Sequence, residues 1–145
     1  MEILKAIGKR ENGDIVEFEV VNGYVDCRYN DLTELHLPDG VKYVWCSYNK
    51  LTELHLPDGV KNVWCSNNKL TELHLLDGMK KVDCSYNNFV NNESYFVNPQ
   101  TDRVIIKQGD KYSCGCYCMK TKEEFYEICK DKGFFEVIEH FKLNS

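Results

Sequence analysis

The sequence predicts a solenoid with parallel β-strands, closed by a β-hairpin cap at the N-terminus and by a hairpin plus helix cap at the C-terminus. Three observations predict it. Cys27, Cys46, Cys65 and Cys84 recur every 19 residues, and Asn30, Asn49, Asn68 and Asn87 keep the same step. A fixed period near 20 residues marks stacked structural repeats. Within a unit, Val44 and Cys46 alternate with Tyr43, Trp45 and Ser47, which is strand periodicity. The period then breaks on both sides, at segments carrying turn and helix signals, as the open ends of a stack require.

The elements follow in chain order. Residues 1–21 form the N-terminal cap. There Glu11-Asn12-Gly13-Asp14 turns a hairpin between Ile3–Ile7 and Ile15–Val20. Ile15, Phe18 and Val20 are placed to cover the first coil. Residues 22–89 hold four units of 19 residues. In each, the apolar strand positions point into the coil, and neighbouring coils pair their strands at about 4.8 Å. Asn49 follows its strand where the backbone turns inward. Its amide both donates and accepts, so it can satisfy backbone groups that the turn leaves unpaired. Leu51, Leu54 and Leu56 close the return side, while Thr52, Glu53 and His55 project elsewhere. Pro57-Asp58-Gly59 makes the corner, with the proline fixing φ and the glycine supplying positive φ. Leu76 replaces that proline in the last full unit, so the proline helps without being essential.

Written as Val41-x-x-Val44-x-Cys46-x-x-Asn49-x-Leu51, the unit matches the leucine-rich-repeat form, with Val and Cys in some leucine slots. The run from Leu56 through Val60, Val63, Cys65 and Asn68 to Leu73 resembles the short bacterial-type leucine-rich repeat. The resemblance covers roughly residues 22–89. It implies a leucine-rich-repeat-type solenoid that binds a partner protein. Relatives of this kind often carry a further catalytic domain, for which 145 residues leave no room. The near-identity of successive units suggests recent internal duplication.

Residues 90–145 form the C-terminal capping region. Tyr95–Val97 and Arg103–Lys107 flank Asn98-Pro99-Gln100-Thr101-Asp102, a hairpin signal. Lys111–Met119 is a further strand candidate. Thr121-Lys122-Glu123-Glu124 is a capping box, which predicts a helix to about Lys132, ended by Gly133. Phe135, Ile138 and Phe141 have the spacing of a second helix over 134–143. The run Cys114-Gly115-Cys116 through Thr121 to Phe125 resembles a short ending of small phage repeat proteins. That resemblance implies a phage or mobile-element protein, and through it an inhibitor of a host protein.

Composition excludes several classes. The 18 basic and 23 acidic residues give a net charge of −5, and the acidic excess holds on both sides of Phe89. A phosphate-binding surface is therefore not expected, and nucleic acid is not an expected partner. No segment reaches membrane-spanning length, so no membrane partner is expected. The first residues carry no apolar run of signal-peptide length, and the expected location is the cytoplasm, with reduced cysteines.

Cys114, Cys116, Cys118, Cys129 and His140 are the one cluster that could hold zinc. Three cysteines at alternate positions of one straight strand stand about 7 Å apart per step, too far for a shared ion without a bend. No cofactor is expected. His36, His55 and His74 form a column beside Glu34, Glu53 and Glu72, read as a solvated face. The sequence has no Gly-rich phosphate loop and no H-E-x-x-H, and no Ser/His/Asp set stands in a plausible pocket. No enzymatic activity is expected.

Core letters repeat because every unit solves the same packing problem. The outward strand letters repeat less faithfully: Tyr24, Asp26, Arg28; then Tyr43, Trp45, Ser47; then Asn62, Trp64, Ser66; then Lys81, Asp83, Ser85. These twelve residues are the candidate partner-binding face. Tyr and Trp are the commonest binding hot spots, and exposed Trp is costly unless something covers it. The competing reading is cross-strand stacking that only stabilises the sheet. The expected function is a protein-binding module. The alternatives are a self-assembling homo-oligomer and a zinc module built on the Cys-rich tail.

Overall fold

A computed structural model describes residues 3–145; Met1 and Glu2 of the expected cap lie outside the described residues. The repeat segment carries a four-stranded parallel sheet, order β3-β5-β6-β7. Its strands are β3 (Tyr24–Asp26), β5 (Tyr43–Trp45), β6 (Asn62–Trp64) and β7 (Lys81–Asp83). Equivalent residues pair in register, so Val25, Val44, Val63 and Val82 form one inward column. Cys27, Cys46, Cys65 and Cys84 form the next inward column, and both columns are buried. Leu32, Leu51, Leu70 and Phe89 pack beneath them in the same core. Gly40, Gly59 and Gly78 turn the corners at φ 99°, 94° and 83°, where any side chain would be strained.

The asparagine column closes each turn. Asn49 Nδ2 donates to Cys27 O of the preceding unit at 2.9 Å and to Cys46 O of its own at 3.0 Å. Its Oδ1 accepts from the backbone N–H of Asn30 and of Leu32, each at 3.0 Å. Asn68 and Asn87 donate in the same way and accept from Leu51 and Leu70. Asn30 has no unit before it. Its Oδ1 accepts from the Arg10 guanidinium instead, at 3.1 Å.

Arg10 belongs to the N-terminal hairpin, in which β1 (Lys5–Arg10) pairs with β2 (Ile15–Glu19). A third strand, β4 (Leu32–His36), pairs antiparallel with β1. Close packing there needs Gly8, because a Cβ would stand 2.7 Å from Leu32 Cδ2 and 3.2 Å from Phe18. Phe18 and Val20 pack on the repeat core, as expected of a cap. Ile15 does not: it is exposed, on the outer face of the hairpin.

The C-terminal region builds its own antiparallel sheet, order β11-β10-β9-β8. It comprises β8 (Tyr95–Val97), β9 (Val104–Gln108), β10 (Lys111–Cys114) and β11 (Tyr117–Lys120). Strand β9 explains its place. Val104 and Ile106 enter the repeat core, while Ile105 faces a second core with Phe96, Tyr112 and Phe125. A strand buried on both faces carries an unbroken apolar run, here Val104-Ile105-Ile106. Helix α1 (Lys122–Lys132) covers the far face. Thr121 caps it with the reciprocal Glu124 bond, and Gly133 ends it at φ 74°. Helix α2 (Phe135–Phe141) packs beside it through Val137 and Ile138, and Phe135 is exposed.

The sheet also closes the last unit. Gln108 brackets Leu75, accepting from its N–H at 2.8 Å and donating to its C=O at 2.7 Å. Tyr95 Oη accepts from Leu73 N–H at 3.2 Å, and Gly115 O accepts from Val82 N–H at 2.9 Å. These groups replace the backbone that a further unit would have supplied.

The predicted fold class is corrected. The chain is not a leucine-rich-repeat-type solenoid of parallel strands with small caps. The described residues form a mixed α+β fold of three sheets, two of them antiparallel, with two helices. The hairpin recruits Leu32–His36 from the first unit as a strand, and the C-terminal region folds around a core of its own. Lys111–Met119 is likewise not one strand. Gly115, at φ 58°, breaks it into the β10–β11 hairpin.

Candidate functional site

The parallel sheet sets the geometry of the outward face. Its three-residue strands place Tyr24, Tyr43, Asn62 and Lys81 in one row, and Asp26, Trp45, Trp64 and Asp83 in the next. Tyr24 stacks on Tyr43 with centroids 4.3 Å apart, and Trp45 meets Trp64 at 5.8 Å. Tyr24 also approaches Trp45, at 5.6 Å. The aromatic rings therefore form one continuous patch. Tyr24 is 42% exposed, and Tyr43, Trp45 and Trp64 are half-buried against one another. The C-terminal sheet abuts the β7 end, where the Gly115 turn meets Val82.

Asp26 and Arg28 neutralise each other through two bonds, at 2.9 and 2.8 Å, and the pair holds the Asp26 carboxyl below its ordinary range. The Arg28 guanidinium lies 5.3 Å from the Trp45 ring. Asp83 accepts from Ser85 N–H and Oγ–H, at 3.2 and 2.7 Å. Ser47 departs from the expected outward set. It is buried, and its Oγ accepts from Ser66 Oγ at 3.0 Å. Asn62 Oδ1 is covered and lacks a partner, the one such buried side-chain atom among the described residues.

One column was missed from sequence. Tyr29, Tyr48, Asn67 and Tyr86 immediately precede the structural asparagines and hold φ between 56° and 60°. This left-handed region disfavours bulky side chains and tolerates Asn. The same turn at Asn67 needs no aromatic, yet three units carry exposed tyrosine. Tyr29 and Tyr48 stack face to face at 4.6 Å. They join Arg28, Trp45 and Trp64 around a shallow cleft of about 280 Å³. The signal was legible, since these four positions share the 19-residue step.

The other candidates separate. Cys114 and Cys118 are buried on different strands of the β10–β11 hairpin, Cys129 is buried on α1, and Cys116 is exposed in the turn. Among the described residues, no three His, Cys, Asp or Glu side chains group as a metal site requires. His140 bonds Asn92 O at 2.6 Å and packs on Phe96 and Phe141. Burial pushes the Cys27 thiol up to about 12, and Cys46, Cys65 and Cys84 well above the usual thiol range. Such thiols stay protonated and unreactive at neutral pH. Cys114 rises to about 11 through burial, moderated by Arg103 beside it. His36 and His55 lie 3.9 and 3.7 Å from Glu34 and Glu53, all exposed, where solvent screening leaves little energy. No described helix is long and apolar enough to cross a membrane.

Comparison with known proteins gives no match among family models, curated proteins or solved structures.

Proposed function

We propose that this protein is a non-enzymatic binding module whose outward aromatic patch docks a partner protein. One observation carries the reading. Three of four units place an exposed tyrosine in a left-handed turn that Asn67 fills with less strain. Strain of this kind, about 1–2 kcal/mol per residue, persists where the side chain has a use. Two of them, Tyr29 and Tyr48, border Trp45 and Trp64, so aromatic area gathers on one solvent-facing surface. Tyr and Trp lose little conformational entropy on binding and dominate interface energetics. Inhibition of the bound protein follows if the patch covers that protein's own working surface. The likeness of the Cys114–Phe125 run to phage repeat-protein endings favours a host protein as target.

The test is capture of a partner from the native host, with wild-type protein and with Trp45→Ala/Trp64→Ala as baits. The expected result is one protein retained by the wild type and lost by a folded double variant. Retention by the variant would refute the reading. So would a light-scattering mass that grows with concentration through the same patch, which marks self-assembly instead.

A further inference from the structure

Trp64 borders two clefts. On its far side, the aromatic patch runs into a second cleft of about 280 Å³ between the parallel sheet and the C-terminal region. Lys81 and Asp83 form one wall, Thr101 and Arg103 the other, with the exposed Cys116 turn at the end. Lys81 comes from the last repeat strand and Arg103 from the tail. They meet the same space where Val82 N–H bonds Gly115 O and docks the β10–β11 turn on β7.

The charges in this cleft do not balance. Among the described residues, neither Lys81 nor Arg103 pairs with a carboxylate. The one carboxylate lining the cleft, Asp83, accepts hydrogen bonds from Ser85 and offsets one of the two cations, which leaves the cleft net positive. At the opposite end of the patch, Arg28 is neutralised by Asp26. The patch therefore has a net positive end beside Trp64.

We propose that this cleft receives a carboxylate side chain of the partner protein, flanked by an apolar residue that packs on Trp64. The inference rests on reading the aromatic patch as a protein-binding surface. An acidic segment complements a cleft lined by two cations and also sets the register of docking. A nucleic-acid strand fits less well. Its backbone needs cations along the whole aromatic track, and Arg28, the cation beside Trp45, is already paired. The size of the cleft suits one side chain, not a strand.

The probes are a blocked Glu-Leu-Glu-Leu-Glu peptide, its Gln-Leu-Gln-Leu-Gln counterpart and an oligothymidylate, titrated into the full ¹⁵N-labelled chain. The two tryptophan indole signals report on the site. The glutamate peptide is expected to move the Trp64 indole more than the Trp45 indole, and to bind about tenfold tighter than the glutamine peptide. Lys81→Gln/Arg103→Gln should remove that preference, Arg103→Lys should largely keep it, and both should retain the wild-type spectrum elsewhere. Equal binding of the two peptides, no binding of the glutamate peptide, an unaffected double Gln variant or preferential binding of the oligothymidylate would each overturn the proposal. The two readings fail separately. A partner lost by Trp45→Ala/Trp64→Ala but kept by Lys81→Gln/Arg103→Gln leaves the patch standing and removes the carboxylate pocket.

Discussion

Asn49 serves two units at once, donating to carbonyls of both and accepting from two N–H groups. Asn49→Ala strands buried backbone groups, so it should destabilise by about 2–4 kcal/mol in urea unfolding. Asn49→Asp should also destabilise, because a carboxylate cannot donate to Cys27 and Cys46. Tyr86 shows the opposite balance. It is 57% exposed, and no neighbouring ring stacks on it. Tyr86→Asn should therefore stabilise by about 0.5–1 kcal/mol, since Asn tolerates positive φ. The cysteines supply a pH prediction. Burial raises their folded-state pKa, to about 12 at Cys27 and Cys129 and about 11 at Cys114 and Cys118. The folded state then holds protons that the unfolded state releases from about pH 8.5 upward. Their contribution is intact below that pH and falls as pH rises towards 11–12. Denaturant midpoints across this range check the sign. A thiol reagent at neutral pH should label Cys116 and spare the other cysteines until denaturant is added.

At the scale of elements, one pentapeptide is instructive. Leu-Thr-Glu-Leu-His occurs at 32–36, 51–55 and 70–74, yet only the first copy is a strand. Its letters are identical; its neighbours are not. The first copy lies beside β1, which offers a free row of backbone donors and acceptors. The later copies have no such strand beside them, and the third meets Tyr95 of the C-terminal sheet. Sequence periodicity therefore located the parallel strands, whose register is set by repeated inward side chains, and missed β4, whose pairing is set by a distant segment. The same limit applies to Gln108 and Tyr95: a glutamine that mimics a missing unit's backbone has no local signature. The capping box at Thr121 was readable because every group in it lies within four residues. Gly8 carries the β1–β4 contact. Gly8→Ala should cost about 1–3 kcal/mol, because Leu32 and Phe18 leave no space for the methyl. Thermal unfolding reads that loss.

Across the whole molecule, the repeat core is finished by unlike materials at its two ends. Arg10 and β4 close the front; Gln108, Tyr95 Oη and Gly115 O close the back. The back closure also creates the cleft beside Trp64, so the segment that completes the fold borders the proposed binding face. The outward strand positions were legible from the 19-residue alternation, apart from Ser47, which the structure buries; the tyrosine column keeps the same 19-residue step but lies in turns, outside the strand alternation. Their use was not legible, because half-buried rings suit both sheet stacking and docking. That choice is the central claim, and Trp45→Ala/Trp64→Ala tests it most directly when unfolding and partner capture are measured on the same preparation. A docking role predicts a cooperative transition lowered by about 2 kcal/mol, with capture abolished. An unfolded variant, or a folded one that still captures the partner, would contradict it.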